Sequence, residues 1–203
     1  MLNELLVAFV TFFTVIDPIG TVPVYIAVTA AENKAARTRI ARRAAITAAG
    51  VMLFFILLGQ VILDAIDIPL SAVQIAGGII LFLFALTMIF GESKPQSEIH
   101  SVDRRDDKAI FPLAMPSLAS PGAIVAAILL TDNDVFTVAQ QSLTALMMLL
   151  VVFIAWILMT LSTRIFKFIG YSGAAIISRI MGLILSAVAV NNILEGITVY
   201  FGI

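Results

Sequence analysis

AAITAAGVMLFFILLGQVIL, residues 44–63, runs for twenty residues without a charge. At 1.5 Å per residue a helix of that length is about 30 Å long, the thickness of a bilayer's hydrocarbon core. The run does not alternate apolar with polar residues and is too long for a buried strand, so it reads as a membrane-spanning helix. Charge-free runs of similar length cover 68–91, 109–131 and 135–163. A first run, 5–31, is interrupted only by Asp17, and a last, 180–203, only by Glu195. The prediction is an all-α, polytopic membrane protein with six spans; a transmembrane β-barrel would need alternating segments of about ten residues. Composition agrees, at 61% hydrophobic and 12% charged, where a soluble domain has roughly 45–50% and about 25%.

The 203 residues include no cysteine and one histidine, His100. Disulfides, thiolate metal sites and cysteine nucleophiles are thereby excluded, and no metal or cofactor is expected. A net charge of −1 gives no sign of a nucleic-acid partner; the lipid bilayer is the expected surrounding. Charge is sorted by position instead. Lys34, Arg37, Arg39, Arg42 and Arg43 follow span one, Lys94, Arg104, Arg105 and Lys108 follow span three, and Arg164, Lys167 and Arg179 follow span five. The alternate connections hold Asp64, Asp67, Asp132 and Asp134 and no base. The positive-inside rule then predicts an inner (plasma) membrane protein with basic loops in the cytoplasm and both termini outside. No basic residue precedes the first span, so a cleavable signal peptide is not indicated and the span is read as retained.

Residues 73–81 (VQIAGGIIL) resemble residues 178–186 (SRIMGLILS) at a shift of 105, and Pro18 and Pro121 are 103 apart. Two matches at nearly one offset predict an internal duplication: a first three-helix repeat over 1–91, a cytoplasmic linker over 92–108, and a second repeat over 109–203. Three spans per copy make the second copy enter from the opposite side, giving a 3+3 inverted-topology repeat. Five of the seven prolines lie in two corresponding spans, Pro18 and Pro23 in the first and Pro112, Pro116 and Pro121 in the fourth. Proline removes a backbone donor, and in lipid the freed carbonyls need protein or a wet cavity around them. Helices one and four are therefore expected to be broken near the midplane, with Gly20 and Gly122 beside the breaks and the new helix starts turned toward anions.

Asp17 is the one ionisable side chain deep in the first span, where a carboxylate costs about 2.5–3.5 kcal/mol on insertion scales and normally faces an interior or a pathway. It either carries a proton or is partnered by a backbone amide, a hydroxyl, a coupling cation or a substrate ammonium group. An N-cap role is compatible with each of these, since Asp-Pro is a standard helix start. Thr87 in span three and Asn191 and Asn192 in span six correspond across the repeat, Thr87 and Asn192 being 105 apart. They read equally as ligand contacts or as interhelical hydrogen bonds. Gly77, Gly78, Gly182 and Ser186 read as close-packing surfaces.

Three stretches in order, residues 17–23 (DPIGTVP), 112–124 (PLAMPSLASPGAI) and 179–185 (RIMGLIL) with Glu195-Gly196-Ile197 beyond, resemble the MarC family along essentially the whole chain. The resemblance implies a six-span inner-membrane protein related to the lysine-exporter superfamily, some of whose relatives transport neutral amino acids such as glycine and alanine. Thr21 stands where the family often has asparagine, and Ser120 where it often has glycine. Both departures touch the expected pocket. On this reading Pro18, Gly20, Pro121 and Gly122 shape a site whose amides take a substrate carboxylate with the hydroxyls of Thr21, Ser117 and Ser120. Asp17 takes the ammonium or a coupling proton, and Thr87, Asn191 and Asn192 complete the pocket. The function implied is secondary transport of small neutral amino acids by alternating access. A passive small-solute channel and a structural membrane protein are the competing readings. An intramembrane enzyme lacks a Ser/His or Cys/His pair.

Overall fold

The computed structural model describes residues 2–90, 107–133 and 135–202. His100 and residues 92–106 of the linker lie outside the described residues. Those described form eight helices and no strand: α1 (Leu2–Ile16), α2 (Pro18–Val28), α3 (Lys34–Ala65), α4 (Leu70–Phe90), α5 (Ala109–Leu118), α6 (Pro121–Leu129), α7 (Val138–Thr160) and α8 (Ser162–Phe201). Asn3–Val28, α3, α4, α7 and Ala175–Phe201 are each long and apolar enough to cross a membrane, and α5 with α6, bent by 53°, counts as a sixth if the pair is one broken span rather than a re-entrant loop.

Helix ends follow local chemistry. Asn33, Ser120 and Thr137 cap α3, α6 and α7 with side-chain oxygens that accept from the amides of Ala36, Ala123 and Gln140. These bonds replace intrahelical partners that the first turn lacks. At the far end of α8, Gly202 turns left-handed with φ 68°. Two boundaries differ from the sequence expectation. α3 starts ten residues before the charge-free run, because the Arg-rich segment 37–43 continues the helix beyond the lipid with its charges solvated. α8 likewise starts at Ser162, although Gly170 (φ 62°) interrupts its helical backbone.

Apolar residues face in two directions, as a lipid solvent allows. Leu57, Leu83, Phe153 and Leu183 are exposed on the outer faces of α3, α4, α7 and α8. Phe12, Val15, Ile16, Leu113, Leu118 and Ala123 are fully buried, placing the two proline-bearing spans at the centre of the bundle. Hydrophobic burial does not drive helix association in lipid, where close van der Waals packing takes its place. The most extensive packing, α4 on α8, is built that way. A Cβ on Gly78 would lie 2.9 Å from the Ala189 carbonyl oxygen and 2.6 Å from Ile193 Cγ1; one on Gly182 would lie 3.1 Å from the Ala85 carbonyl oxygen and 3.1 Å from Ile89 Cγ1. Gly78→Ala and Gly182→Ala are therefore each expected to destabilise the protein by about 1–3 kcal/mol, the usual result of overpacking. Gly50→Ala is the control, since a Cβ there meets nothing within 4 Å. Thermal unfolding in detergent checks this, and equal midpoints for Gly78→Ala and Gly50→Ala would remove the close contact.

Those two contacts are images of one another. Gly78 and Gly182 are 104 residues apart, as are Ala85 and Ala189, and Ile89 and Ile193. The caps Asn33 and Thr137 are also 104 apart, and Asp17 and Ser120 are 103 apart. Packing of α3 with α5 is matched by α1 with α7, α2 with α8 by α4 with α6, and α2 with α7 by α3 with α6.

Candidate functional site

Asp17 sits between α1 and α2 in the left-handed region, φ 47°, ψ 67°. Aspartate and asparagine tolerate that conformation better than other non-glycine residues, because their short polar side chains bond locally. Pro18 then opens α2 with its fixed φ, at a position where the missing amide hydrogen has no intrahelical partner to lose. The Asp17 carboxylate, 1% exposed, accepts from the Gly20 amide at Oδ1 (2.9 Å) and from the Ser178 hydroxyl at Oδ2 (3.0 Å). No Lys or Arg pairs with it among the described residues. Gly20 is required by closeness rather than by dihedral angle: a Cβ there would overlap the carboxylate and lie 2.8 Å from Ser178 Oγ.

Across from this turn, the break between α5 and α6 presents its own polar groups. Ser120 caps α6 by accepting from the Ala123 amide (3.1 Å), and its hydroxyl donates to the Val15 carbonyl (3.3 Å), two residues before Asp17. The Thr21 hydroxyl donates to the Asp17 carbonyl (3.1 Å) and lies 3.1 Å from Ser117 Oγ. Either hydroxyl can donate across that gap. Ser117, Ser120 and Thr21 are all buried. Pro112 and Pro116 each follow an extended residue, Phe111 (φ −127°) and Met115 (φ −132°), so α5 is irregularly wound up to the break. The two interruptions thus touch through hydroxyls, in the centre of the bundle.

The two helix starts differ electrostatically. α2 holds a carboxyl side chain against its amide end, whereas α6 holds only the neutral hydroxyl of Ser120. Helix N-termini carry roughly half a positive charge, so the amide end of α6 is the one not matched by a carboxyl group. Gly122 is buried there against Leu81.

Asp17, Pro18, Gly20, Thr21, Ser117, Ser120, Pro121 and Gly122 come together. Three expected residues do not join them. Thr87 is exposed near the basic end of α4, with its hydroxyl donating to the Phe84 carbonyl (2.7 Å). Asn191 and Asn192 line a separate cavity of about 600 Å³, opening at the acidic end of the bundle. Ser178 is the residue that the sequence reading passed over as a site member. In the sequence it figured only in the repeat match 178–186, yet it is fully buried on the face of α8 that packs on α2. No group of three or more His, Cys, Asp or Glu side chains suited to a metal is found among the described residues.

On the basic side, Lys108 pairs with Glu32 and Arg43 with Asp107, each at 2.9 Å. The Tyr25 hydroxyl donates to the Arg37 carbonyl (2.9 Å). These contacts fasten the α2–α3 turn to α3 and to the entry of α5.

Comparison with known proteins agrees with this architecture. Residues 2–201 match the family described as MarC family integral membrane protein. The chain is 35% identical to the UPF0056 membrane protein MJ1677 of Methanocaldococcus jannaschii, over 97% of both chains. It is 30% identical to the UPF0056 inner membrane protein YhgN of Escherichia coli over 98% of both, and 28% identical to the UPF0056 membrane protein YvbG of Bacillus subtilis over 97% of this chain and 95% of that one. None of these names carries an enzymatic activity. No solved structure matches. A family match over residues 2–201, relatives named as membrane proteins that align over nearly their whole length, and five to six helices long and apolar enough to cross a membrane together place this chain in the MarC family of multi-pass integral membrane proteins.

Proposed function

We propose that this chain is a secondary transporter of small neutral amino acids of the glycine and alanine kind, working by alternating access about the contact between its two helix breaks. One observation carries the reading: a buried carboxyl group, with no basic partner among the described residues, stands where two interrupted spans meet through the Thr21–Ser117 hydroxyl contact. A zwitterion needs an anion site and a cation site a few ångströms apart. The α6 amide end at Gly122, with Ser117 and Ser120, supplies the first, and Asp17 the second. Asp17 is also the group to take up a coupling proton. The buried groups are satisfied by each other in this conformation, so a substrate would exchange those bonds for its own.

The matched contacts 104 residues apart support an inverted repeat of residues 1–91 and 109–203. In such a repeat, the outward- and inward-open states exchange the roles of the two halves. By the positive-inside rule the basic end faces the cytoplasm, with both termini outside. The cavity at Asn191 and Gln74 is then an outward opening, and Asp17 bonded to Ser178 closes the inner side. Thr87 is the counterpart of Asn191 and Ser178 of Gln74, each 104 residues apart. In the inward-open state Thr87 and Ser178 would line the inner path. This gives Thr87 a place in the cycle without a place in the central pocket.

Counterflow in proteoliposomes tests the function. Vesicles preloaded with unlabelled glycine or alanine are expected to accumulate the labelled amino acid transiently. Unsaturable flux without trans-stimulation would identify a pore instead, and no flux for any common amino acid would defeat the proposal.

A further inference from the structure

The outer cavity lies between α1, α4, α6 and α8 and runs from Val199 at its mouth to Ala187 at its floor, roughly 18 Å along α8 at 1.5 Å per residue. Its floor also includes Thr11, six positions before Asp17, and Ala126, six after Ser120. It therefore ends roughly 9 Å along either helix from the two breaks. The layer between holds Phe12, Val15, Ile16 and Ala123, all fully buried and apolar. The cavity thus stops short of the contact between the two helix breaks.

Its walls are chemically one-sided. Adjacent asparagines within a membrane span are unfavourable unless they face protein or water. Among the described residues neither the Asn191 nor the Asn192 carboxamide bonds to another, and both open into the cavity. Next to them Glu195 accepts from the Gln74 carboxamide at 3.3 Å. On the α6 side, Asp132 is 8% exposed and accepts from Gln60 at 3.3 Å. No Lys or Arg lines the chamber. Charges of one sign in a cleft with low-dielectric walls focus the field and concentrate counter-ions.

We infer that this chamber is a binding site for solutes carrying a primary ammonium group. Glu195 and Asp132 attract the charge, Asn191 and Asn192 hydrogen-bond the ligand, and anions are turned away. The inference deepens the transport reading, on which it rests only for the direction of travel.

The chain has no native cysteine, so a single introduced thiol reports one place. Asn191→Cys and, as reference, Val138→Cys, exposed at the same end but outside the chamber, are reacted in proteoliposomes with methanethiosulfonates bearing a trimethylammonium or a sulfonate group. The cationic-to-anionic rate ratio at position 191, divided by that at 138, is expected to be about tenfold or more, at the low end of electrostatic steering. Glu195→Gln is expected to lower it, and Glu195→Gln with Asp132→Asn to bring it close to one. Methylammonium is expected to slow labelling at 191 but not at 138, and acetate to slow neither. A normalised ratio near one, a ratio unmoved by both substitutions, or labelling at 138 without any at 191 would overturn the inference. Glu195 is exposed, so its single substitution keeps the test readable should the double variant fold poorly. Charge selectivity without counterflow would sink the transport reading and leave the chamber. Counterflow with a ratio near one would do the reverse.

Discussion

Asp17→Asn is expected to abolish counterflow, by a hundredfold or more, while leaving the protein folded. Asparagine is the substitution that keeps the structure and removes only the charge. It tolerates the left-handed backbone at φ 47° and caps a helix as well as aspartate does, so the bond from the Gly20 amide survives. Its amide nitrogen can face Ser178, whose hydroxyl then accepts instead of donating. What is lost is the negative charge that would hold an ammonium group or a proton. Asp17→Ala is the useful contrast. It forfeits the cap, worth about 1 kcal/mol, and leaves a residue poorly suited to that backbone, so its unfolding midpoint should fall as well as its transport. Counterflow alongside thermal unfolding in detergent separates the two effects. Wild-type transport by a folded Asp17→Asn protein would remove the carboxyl group from the mechanism.

The spans were legible because lipid imposes a coarse rule: about twenty uncharged residues in a row, with Lys and Arg between alternate runs. That rule places hydrocarbon, not helix ends, which is why α3 and α8 extend past their charge-free runs. The DPIGTVP stretch was legible for a different reason. Asp before Pro encodes a local turn, and its left-handed backbone and capping bond are decided within four residues. Ser178 was hidden because its importance is purely tertiary: nothing near it in sequence reports that α2 brings Asp17 against it. Asn191, Asn192 and Thr87 stand apart from the central contact for a more instructive reason. Correspondence between the two halves suggested that they share a pocket. If one half enters the membrane inverted, however, corresponding residues lie at mirrored depths, and only those at the midplane can meet. Asp17 and Ser120 do meet, Ser120 bonding to the Val15 carbonyl beside the Asp17 turn, whereas Thr87 and Asn191 lie toward opposite ends of the bundle.

The difference between the two helix starts leads to the second large effect. Gly20→Ala places a methyl group where the Asp17 carboxylate lies and within 2.8 Å of Ser178 Oγ. The carboxylate cannot retreat by rotation and keep both partners, because the Gly20 amide and the Ser178 hydroxyl fix its two oxygens from different directions. Either the α2 cap opens or the carboxyl group is left buried without hydrogen bonds. Overpacking and an unsatisfied buried polar group together amount to roughly 2–4 kcal/mol, a large share of a typical stability margin. Gly122→Ala meets a different neighbour: its Cβ would approach Leu81 Cδ2 at 2.6 Å, the far end of a flexible side chain, with Ser120 Oγ next at 3.8 Å. Leu81 can shift, so the penalty should be the smaller of the two. Transport should still suffer in Gly122→Ala, since the methyl group narrows the approach to the amide end proposed to hold the substrate carboxylate. The expected pattern is therefore a strong fall in unfolding midpoint for Gly20→Ala and a weak one for Gly122→Ala, with raised half-saturation in the latter. Equal stability losses would mean that the two starts are not distinguished by the carboxylate. An unchanged half-saturation in a folded Gly122→Ala protein would move the anion site away from α6.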